Sequence, residues 1–173
     1  MTSASRRTSL TVLLIAGLTA LGPATRAAPR IGQPAPQLAA TLLDGSRFDL
    51  AQSRGRVVIV SLWATWCTPC RLEMPILDQA LARHRAEGLE VVGLSADRLK
   101  SRDEVIRVMS DLGYPSGMAL EASPNGFGVP RALPQTFVID RQGVIRAEFG
   151  VLGKPVTEAG LETAIEPLLA QER

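Results

Sequence analysis

The chain has 173 residues, with 19 Lys and Arg against 17 Asp and Glu, and its formal charge of +2 comes without any basic cluster or aromatic array. Such clusters and arrays are typical of nucleic-acid-binding proteins, so this class of partner is excluded. Two cysteines and one histidine are too few for a zinc site, which takes about four ligands. Residues 28–173 suffice for one domain with an adequate hydrophobic core.

Residues 1–27 have the pattern of a secretory signal peptide. Arg6-Arg7 precede an apolar run over residues 10–21, and a stretch of small residues then provides a cleavage zone. The run is short for a membrane span of about 20 residues, but an uncleaved anchor stays open as an alternative. We therefore expect a domain over 28–173 in the periplasm, either soluble or held by its N-terminus.

Removal of this leader changes the charge balance. Three basic residues and no acidic ones leave with it, so sixteen basic residues face seventeen acidic ones and the net charge becomes −1. The basic character of the whole chain is therefore a property of the precursor.

The first half of the domain alternates strand and helix patterns. Asp44-Gly45 predicts a hairpin turn between two short strands. The run Val57–Leu62 predicts a central strand, and a helix follows from about Arg71 to Arg85. Its interior Pro75 predicts a kink. The remaining elements of this half are an extended lead-in over 29–36, hairpin strands over 38–43 and 47–49, a buried strand over 89–95 and a helix over 101–112 with a capping box formed by Ser101 and Glu104.

The second half begins with a segment rich in proline and glycine between Gly113 and Pro134. It is followed by a second hairpin and an amphipathic closing helix. The predicted elements are a short strand over 118–120, a helical turn near Asn125, strands over 136–139 and 144–149, and a helix over 157–170.

The segment Trp66-Cys67-Thr68-Pro69-Cys70 lies between the central strand and the helix after it. A Cys-x-x-Cys in this place is typical of a redox site. Cys67 would lie at the first helical turn, where unpaired backbone N–H groups and the helix dipole stabilise a thiolate, while Cys70 lies one turn further on.

Two alternatives to a catalytic dithiol have been weighed. A structural disulfide closing so small a loop would restrict the unfolded chain very little. A zinc site would need the single histidine, but His84 is placed near the far end of the predicted helix and is interpreted as a surface residue. We therefore predict a catalytic dithiol that needs no metal and no organic cofactor.

At these residues the chain resembles the thioredoxin superfamily, and specifically its TlpA/ResA-like periplasmic branch. Leu62–Pro75 fits the pattern W-x-x-W-C-x-P-C-x-x-E-x-P, and Leu133–Asp140 is similar to the segment that carries the cis-proline of the superfamily. The resemblance spans roughly Ile31 to Leu169. It implies an α/β thioredoxin-like fold with a central mixed sheet flanked by helices, an N-terminal β-hairpin, and an inserted strand and helix before the cis-proline segment.

The resemblance also implies roles for single residues. Pro134 matches the cis-proline that packs against the disulfide, and Leu133 would offer its backbone to an extended substrate. Of the two tryptophans, Trp66 is interpreted as part of the substrate-facing surface, together with Thr68 and Pro69.

Glu73 is the third candidate catalytic residue. It follows Cys70 by three positions and therefore shares its helix face. Thioredoxin carries a buried aspartate on its central strand, but Ser61 stands at the matching position here. This difference favours Glu73 as the group that accepts the proton of Cys70, and a solvated helix carboxylate is the alternative.

These patterns predict a thiol–disulfide oxidoreductase that reduces disulfides in exported proteins, such as apocytochrome c or copper-site cysteine pairs. Its electrons would come from a membrane-embedded thiol donor, because the periplasm is kept oxidising. A dithiol oxidase or isomerase is the first alternative, although such proteins usually carry a histidine between the two cysteines. A copper-delivery module is a weaker one, because the chain lacks a Cys-x-x-x-Cys with a distant histidine.

Overall fold

The structure, a computed structural model, describes residues 28–151 and 153–171. The predicted signal peptide lies outside the described residues. The elements in chain order are β1 (Ala39–Thr41), β2 (Arg47–Asp49), β3 (Val57–Trp63), α1 (Thr68–His84), β4 (Leu89–Ser95), α2 (Arg102–Met109), β5 (Ser116–Met118), β6 (Gln135–Ile139), β7 (Ile145–Gly150) and α3 (Glu158–Leu169). Within the described ranges, no helix combines the length and the apolar character that a membrane crossing requires.

Five strands form one mixed sheet in the order β5-β4-β3-β6-β7. The strands β3, β4 and β5 run parallel, β6 runs antiparallel to β3, and β7 runs antiparallel to β6. β3 lies at the centre with all seven residues buried, as expected for a continuous apolar run covered on both faces. The α/β class and the predicted layout, including the separate hairpin β1–β2, are confirmed.

Segments outside the sheet cover both of its edges. Leu42 forms a bridge with Gly117 beside β5, and the Leu43 N–H donates to the Ser116 carbonyl. At the other edge, Pro34 of the lead-in forms a bridge with Val144. Covered edges leave fewer backbone groups open to pairing with another chain.

α1 and α3 are joined by a cluster of charged side chains. Arg83 of α1 bonds Glu158 and Glu162 of α3. His84 lies between Glu162 at 2.8 Å and Glu87 at 2.9 Å, one carboxylate at each ring nitrogen. It is half-buried rather than fully at the surface as predicted, because α3 packs beside it.

Arg141 occupies the amino-terminal end of β3, where three chain segments meet. Its buried guanidinium donates to the carbonyls of Gly55, Glu87 and Leu169, at 2.6, 3.1 and 2.9 Å. These carbonyls precede β3, follow α1 and end α3, so one side chain ties three elements together.

Three local predictions are wrong. The side chain of Ser101 makes no capping bond, because a 3-10 turn over Leu99–Ser101 leads directly into α2, which also ends earlier than predicted, at Met109. The strand predicted over 118–120 lies at Ser116–Met118, where pairing with β4 and with Leu42 fixes it. No helical turn forms near Asn125, which instead makes a β-bridge with Leu38.

Candidate active site

The two cysteines form a disulfide at the start of α1. Cys67 caps the helix in an extended conformation, and its sulfur accepts a hydrogen bond from the Cys70 N–H at 3.3 Å. The predicted placement of Cys67 at the helix start is thereby confirmed. Because the Cys70 N–H points at this sulfur from the start of a helix, a thiolate formed there on reduction would be stabilised.

The cysteines are nearly buried, but the residues around them are not. Trp66 is 70% exposed and Leu72 is 71% exposed, while Thr68 and Pro69 between the cysteines are also at the surface. Trp63, by contrast, is fully buried. The two tryptophans therefore differ in place, since one belongs to the core and the other to an apolar surface beside the disulfide.

Pro134 lies at the same end of the sheet as the disulfide. Gln135 pairs with Leu62, so the residue before it is placed at the carboxyl end of β3, the end that leads into Cys67. The Leu133–Pro134 peptide bond is cis, as the resemblance implies. Gly150 of β7 packs closely against this segment, because a Cβ there would lie 2.5 Å from the Pro134 carbonyl oxygen.

Glu73 is buried, with only 6% of its surface exposed. One carboxyl oxygen accepts a hydrogen bond from the Val156 N–H at 3.1 Å, and the other has no partner among the described residues. Burial raises the pKa of the Glu73 carboxyl, and the Val156 hydrogen bond opposes this only in part. A solvated helix carboxylate is excluded, and a group able to hold a proton closer to neutral pH is present.

The central strand carries no acid next to the site. Ser61 is buried and accepts a hydrogen bond from the Thr136 hydroxyl at 3.3 Å. Nearby, the Trp63 indole N–H donates to the Ser116 hydroxyl at 3.2 Å. These neutral pairs satisfy the buried polar groups of this face without supplying a proton acceptor.

A buried carboxyl that the sequence analysis did not single out lies at the end of β4. Asp97 accepts hydrogen bonds from the N–H and the hydroxyl of Thr65, both at 2.8 Å, and from the Ser95 hydroxyl at 2.7 Å. A signal was available in the sequence, because Asp97 lies two residues after the end of a buried parallel strand. The carboxyl ends of such strands are where α/β sheets gather functional groups.

The described ranges contain no group of three or more histidine, cysteine, aspartate or glutamate side chains placed to hold a metal ion. The site brings together the two sulfurs at the start of α1 and the buried Glu73 carboxyl on the same helix.

Comparison with known proteins agrees with this chemistry. A family model described as the AhpC/TSA family matches residues 31–148. The chain is 31% identical over 121 residues to the thiol-disulfide oxidoreductase ResA of Bacillus thuringiensis subsp. konkukian, covering 68% of each chain. Among solved structures, it resembles a putative thiol:disulfide interchange protein DsbE from Chlorobium tepidum, with a TM-score of 0.67 and 26% identity over 83% of this chain and 100% of that one. A secreted thiol-disulfide isomerase from Corynebacterium glutamicum gives a TM-score of 0.66 and 29% identity over 79% and 86% of the two chains.

Proposed function

This chain belongs to the AhpC/TSA family, and on that premise we propose that it is an exported thiol–disulfide oxidoreductase that reduces disulfides in client proteins. The observation that carries the proposal is the Cys67–Cys70 disulfide at the start of α1, with the Cys67 sulfur receiving a backbone N–H. The fold is thioredoxin-like, and its solved relatives include a protein described as secreted.

In the first step, the Cys67 thiolate of the reduced protein attacks one sulfur of a client disulfide. A bond forms between Cys67 and that sulfur, and the other client sulfur leaves as a thiolate. The helix start supports this assignment, because it stabilises negative charge on Cys67 rather than on Cys70.

In the second step, Cys70 attacks the mixed disulfide and reforms the Cys67–Cys70 bond. The client leaves as a dithiol, so two electrons have passed to it. Cys70 must lose its proton to attack, and Glu73 on the same helix is the proposed acceptor. Burial raises the pKa of the Glu73 carboxyl, and one of its oxygens has no partner in the described part of the chain, so this oxygen is available to take up a proton.

The client is proposed to bind across the apolar surface beside the disulfide. Trp66 supplies exposed apolar area, and Thr68 and Pro69 border the sulfurs. Leu133 would pair its backbone with an extended client segment, next to Pro134. Such strand-like pairing accepts many sequences, which suits a protein with several clients.

The reducing direction requires a supply of electrons outside the cytoplasm. A membrane-embedded thiol donor would reduce the Cys67–Cys70 disulfide after each turnover. Apocytochrome c and copper-site cysteine pairs are the proposed client classes, because both need their cysteines reduced before they take up haem or metal.

Trapping of clients tests the proposal. In a Cys70→Ala variant of the full chain, Cys67 would form mixed disulfides that nothing resolves, and mass spectrometry would identify the attached proteins. Cys67→Ala is the matched control and should trap far less. Equal trapping by the two variants would overturn the assignment of Cys67 as the attacking thiol.

The direction and the location need separate measurements. Rapid alkylation in cells should find the wild-type pair mostly reduced, and a pair found mostly oxidised would favour the dithiol oxidase alternative. A C-terminal fusion to a reporter active only after export should be active. Activity of a cytoplasm-only reporter instead would contradict the proposed location.

A further inference from the structure

The buried Asp97 carboxyl is the strongest feature near the disulfide to which the mechanism above assigns no role. It lies just beyond β4 and is 3% exposed. Three donors reach it, two from Thr65 and one from Ser95, and the Asp97 N–H donates back to the Ser95 hydroxyl at 3.1 Å. Both its oxygens are thus engaged by neutral groups.

The contacts of Asp97 with Thr65 act on the loop that leads to the nucleophile. Thr65 precedes Cys67 by two residues, and the Cys67 N–H donates to the Ala64 carbonyl at 3.1 Å, which closes a tight turn between β3 and α1. The Ala96 N–H donates to the Trp63 carbonyl at 2.8 Å on the other side of this turn. The segment after β4 therefore holds the loop at two successive points.

We propose that Asp97 is a positioning residue for thiol–disulfide exchange. Because it accepts hydrogen bonds from the N–H and the hydroxyl of Thr65, it keeps the Cys67 sulfur at the first turn of α1 when the disulfide opens. While the disulfide is closed, the bond to Cys70 already restrains Cys67. After reduction that covalent restraint is gone, and the two hydrogen bonds from Thr65 to Asp97 have to keep the loop in place. The inference rests on the proposed role of Cys67 as the attacking thiol.

A carboxyl that only stabilises the fold would also be buried and hydrogen-bonded, and the chain contains such a carboxyl for comparison. Asp140 is also 3% exposed and accepts hydrogen bonds from the Gln142 and Val144 N–H groups and from Arg146. It lies in the β6–β7 turn, whereas the residues that flank the disulfide belong to the opposite end of the sheet. Asp97→Ala and Asp140→Ala therefore remove equally buried carboxyls at opposite ends of the sheet.

The experiment measures iodoacetamide alkylation of each cysteine against pH, the equilibrium with reduced and oxidised glutathione, and urea unfolding. In Asp97→Ala, the pH midpoint for Cys67 should rise towards ~8.5, the value of a free thiol, so that alkylation at pH 7 falls by about tenfold. Loss of thiolate stabilisation should shift the glutathione equilibrium towards the protein disulfide by a similar factor. Asp140→Ala should lower stability and leave both redox readouts unchanged.

Thr65→Val keeps the test decisive if Asp97→Ala does not fold, because it removes one of the two bonds to Thr65 and preserves the side-chain shape. It should shift the Cys67 midpoint in the same direction by a smaller amount. Variants that lose stability while the Cys67 midpoint and the glutathione equilibrium stay at wild-type values would overturn the inference. If Cys70 is the faster thiol in the wild type, the assignment of Cys67 fails instead, and the two failures are distinguishable.

Discussion

The two ends of β3 both bury charged or ionisable side chains, but they use them differently. At the amino-terminal end, Arg141 bonds three carbonyls from three segments. At the carboxyl end, Glu73 keeps one carboxyl oxygen without a partner in the described part of the chain. The first end is organised to hold elements together, whereas the second contains the buried carboxyl that we propose as the acceptor of the Cys70 proton.

Because of this difference, substitutions at the Arg141 end should change the free energy of unfolding, and substitutions at the Glu73 end should change the chemistry of the disulfide. Each carbonyl held by Arg141 would be left buried and unsatisfied without the guanidinium, so this end contributes to the free energy of unfolding. Burial of Glu73 disfavours its charged form and therefore works against stability above its ordinary pKa. Substitutions at the two ends should consequently move different observables.

Removal of the Arg141 guanidinium should give the largest effect. Arg141→Met leaves three buried carbonyls without their donor, and we expect the free energy of unfolding to fall by about 3 kcal/mol. The glutathione equilibrium of the disulfide should stay unchanged. Urea denaturation of the oxidised protein measures the loss. Arg56→Met is the control, because Arg56 is exposed and its partner Glu90 partly exposed, so the pair should be worth about 1 kcal/mol or less.

Glu73→Gln should affect the chemistry at the other end. The amide cannot accept the proton of Cys70, so resolution of the mixed disulfide should slow by on the order of a hundredfold, the lower range for general acid–base catalysis. Stopped-flow mixing of the reduced protein with a disulfide-containing peptide measures this step. An unchanged rate and pH profile would remove Glu73 from the mechanism.

The same variant has a predictable signature in stability. Because the folded pKa of Glu73 is raised above 4.5, wild-type stability should fall as pH rises from that value through the raised pKa. Glu73→Gln lacks this carboxyl, so the difference in unfolding free energy between variant and wild type should grow with pH in the variant's favour. A pH-independent difference would contradict the burial of a titrating carboxyl.

Gly150→Ala tests the packing of the cis-proline segment. The added Cβ would lie 2.5 Å from the Pro134 carbonyl oxygen, so the segment must move away from β7. We expect KM for a client peptide to rise by about tenfold, because small displacements of binding groups weaken substrate positioning. Gly153→Ala is the control, since a Cβ there meets no atom within 4 Å and should leave KM unchanged.

The smallest effect is expected at His84. Burial opposes its charged form, but hydrogen bonds and attraction to Glu87 and Glu162 outweigh this and raise its pKa above 6.5. Its contribution to stability is therefore fully present below about pH 6.5 and is lost as pH rises through the raised value. The nearby Arg83 also faces Glu162 and limits the gain.

Urea titrations from pH 6 to 9 should show a loss of about 0.5 kcal/mol in the wild type from this group. His84→Gln should lack that step while keeping the same behaviour at other pH values. A step of equal size in the variant would assign the pH dependence to another group.

The sequence alone determined the elements and motifs that depend on neighbouring residues. The apolar runs of β3 and β4 predicted buried strands, Asp44-Gly45 predicted the hairpin turn, and the cysteine spacing predicted a redox pair at a helix start. Local patterns succeed here because strand burial, turn formation and helix capping are decided within a few residues. They failed at Ser101, where an adjoining 3-10 turn decided the conformation, and at Asn125, where an isolated bridge to the distant Leu38 decided it.

Only the tertiary structure decided which side chains surround the disulfide and which side chain stabilises the opposite end of β3. Asp97 meets Thr65 across 32 residues, Glu73 meets Val156 across 83, and Arg141 meets Gly55 across 86. The hydrophobic periodicity of the sequence does not predict such pairs, because they form when sheet topology brings the ends of separate strands and helices together. The sequence could name Glu73 as a candidate, but its burial and its open oxygen follow from the packing of α3 and the loop before it against α1.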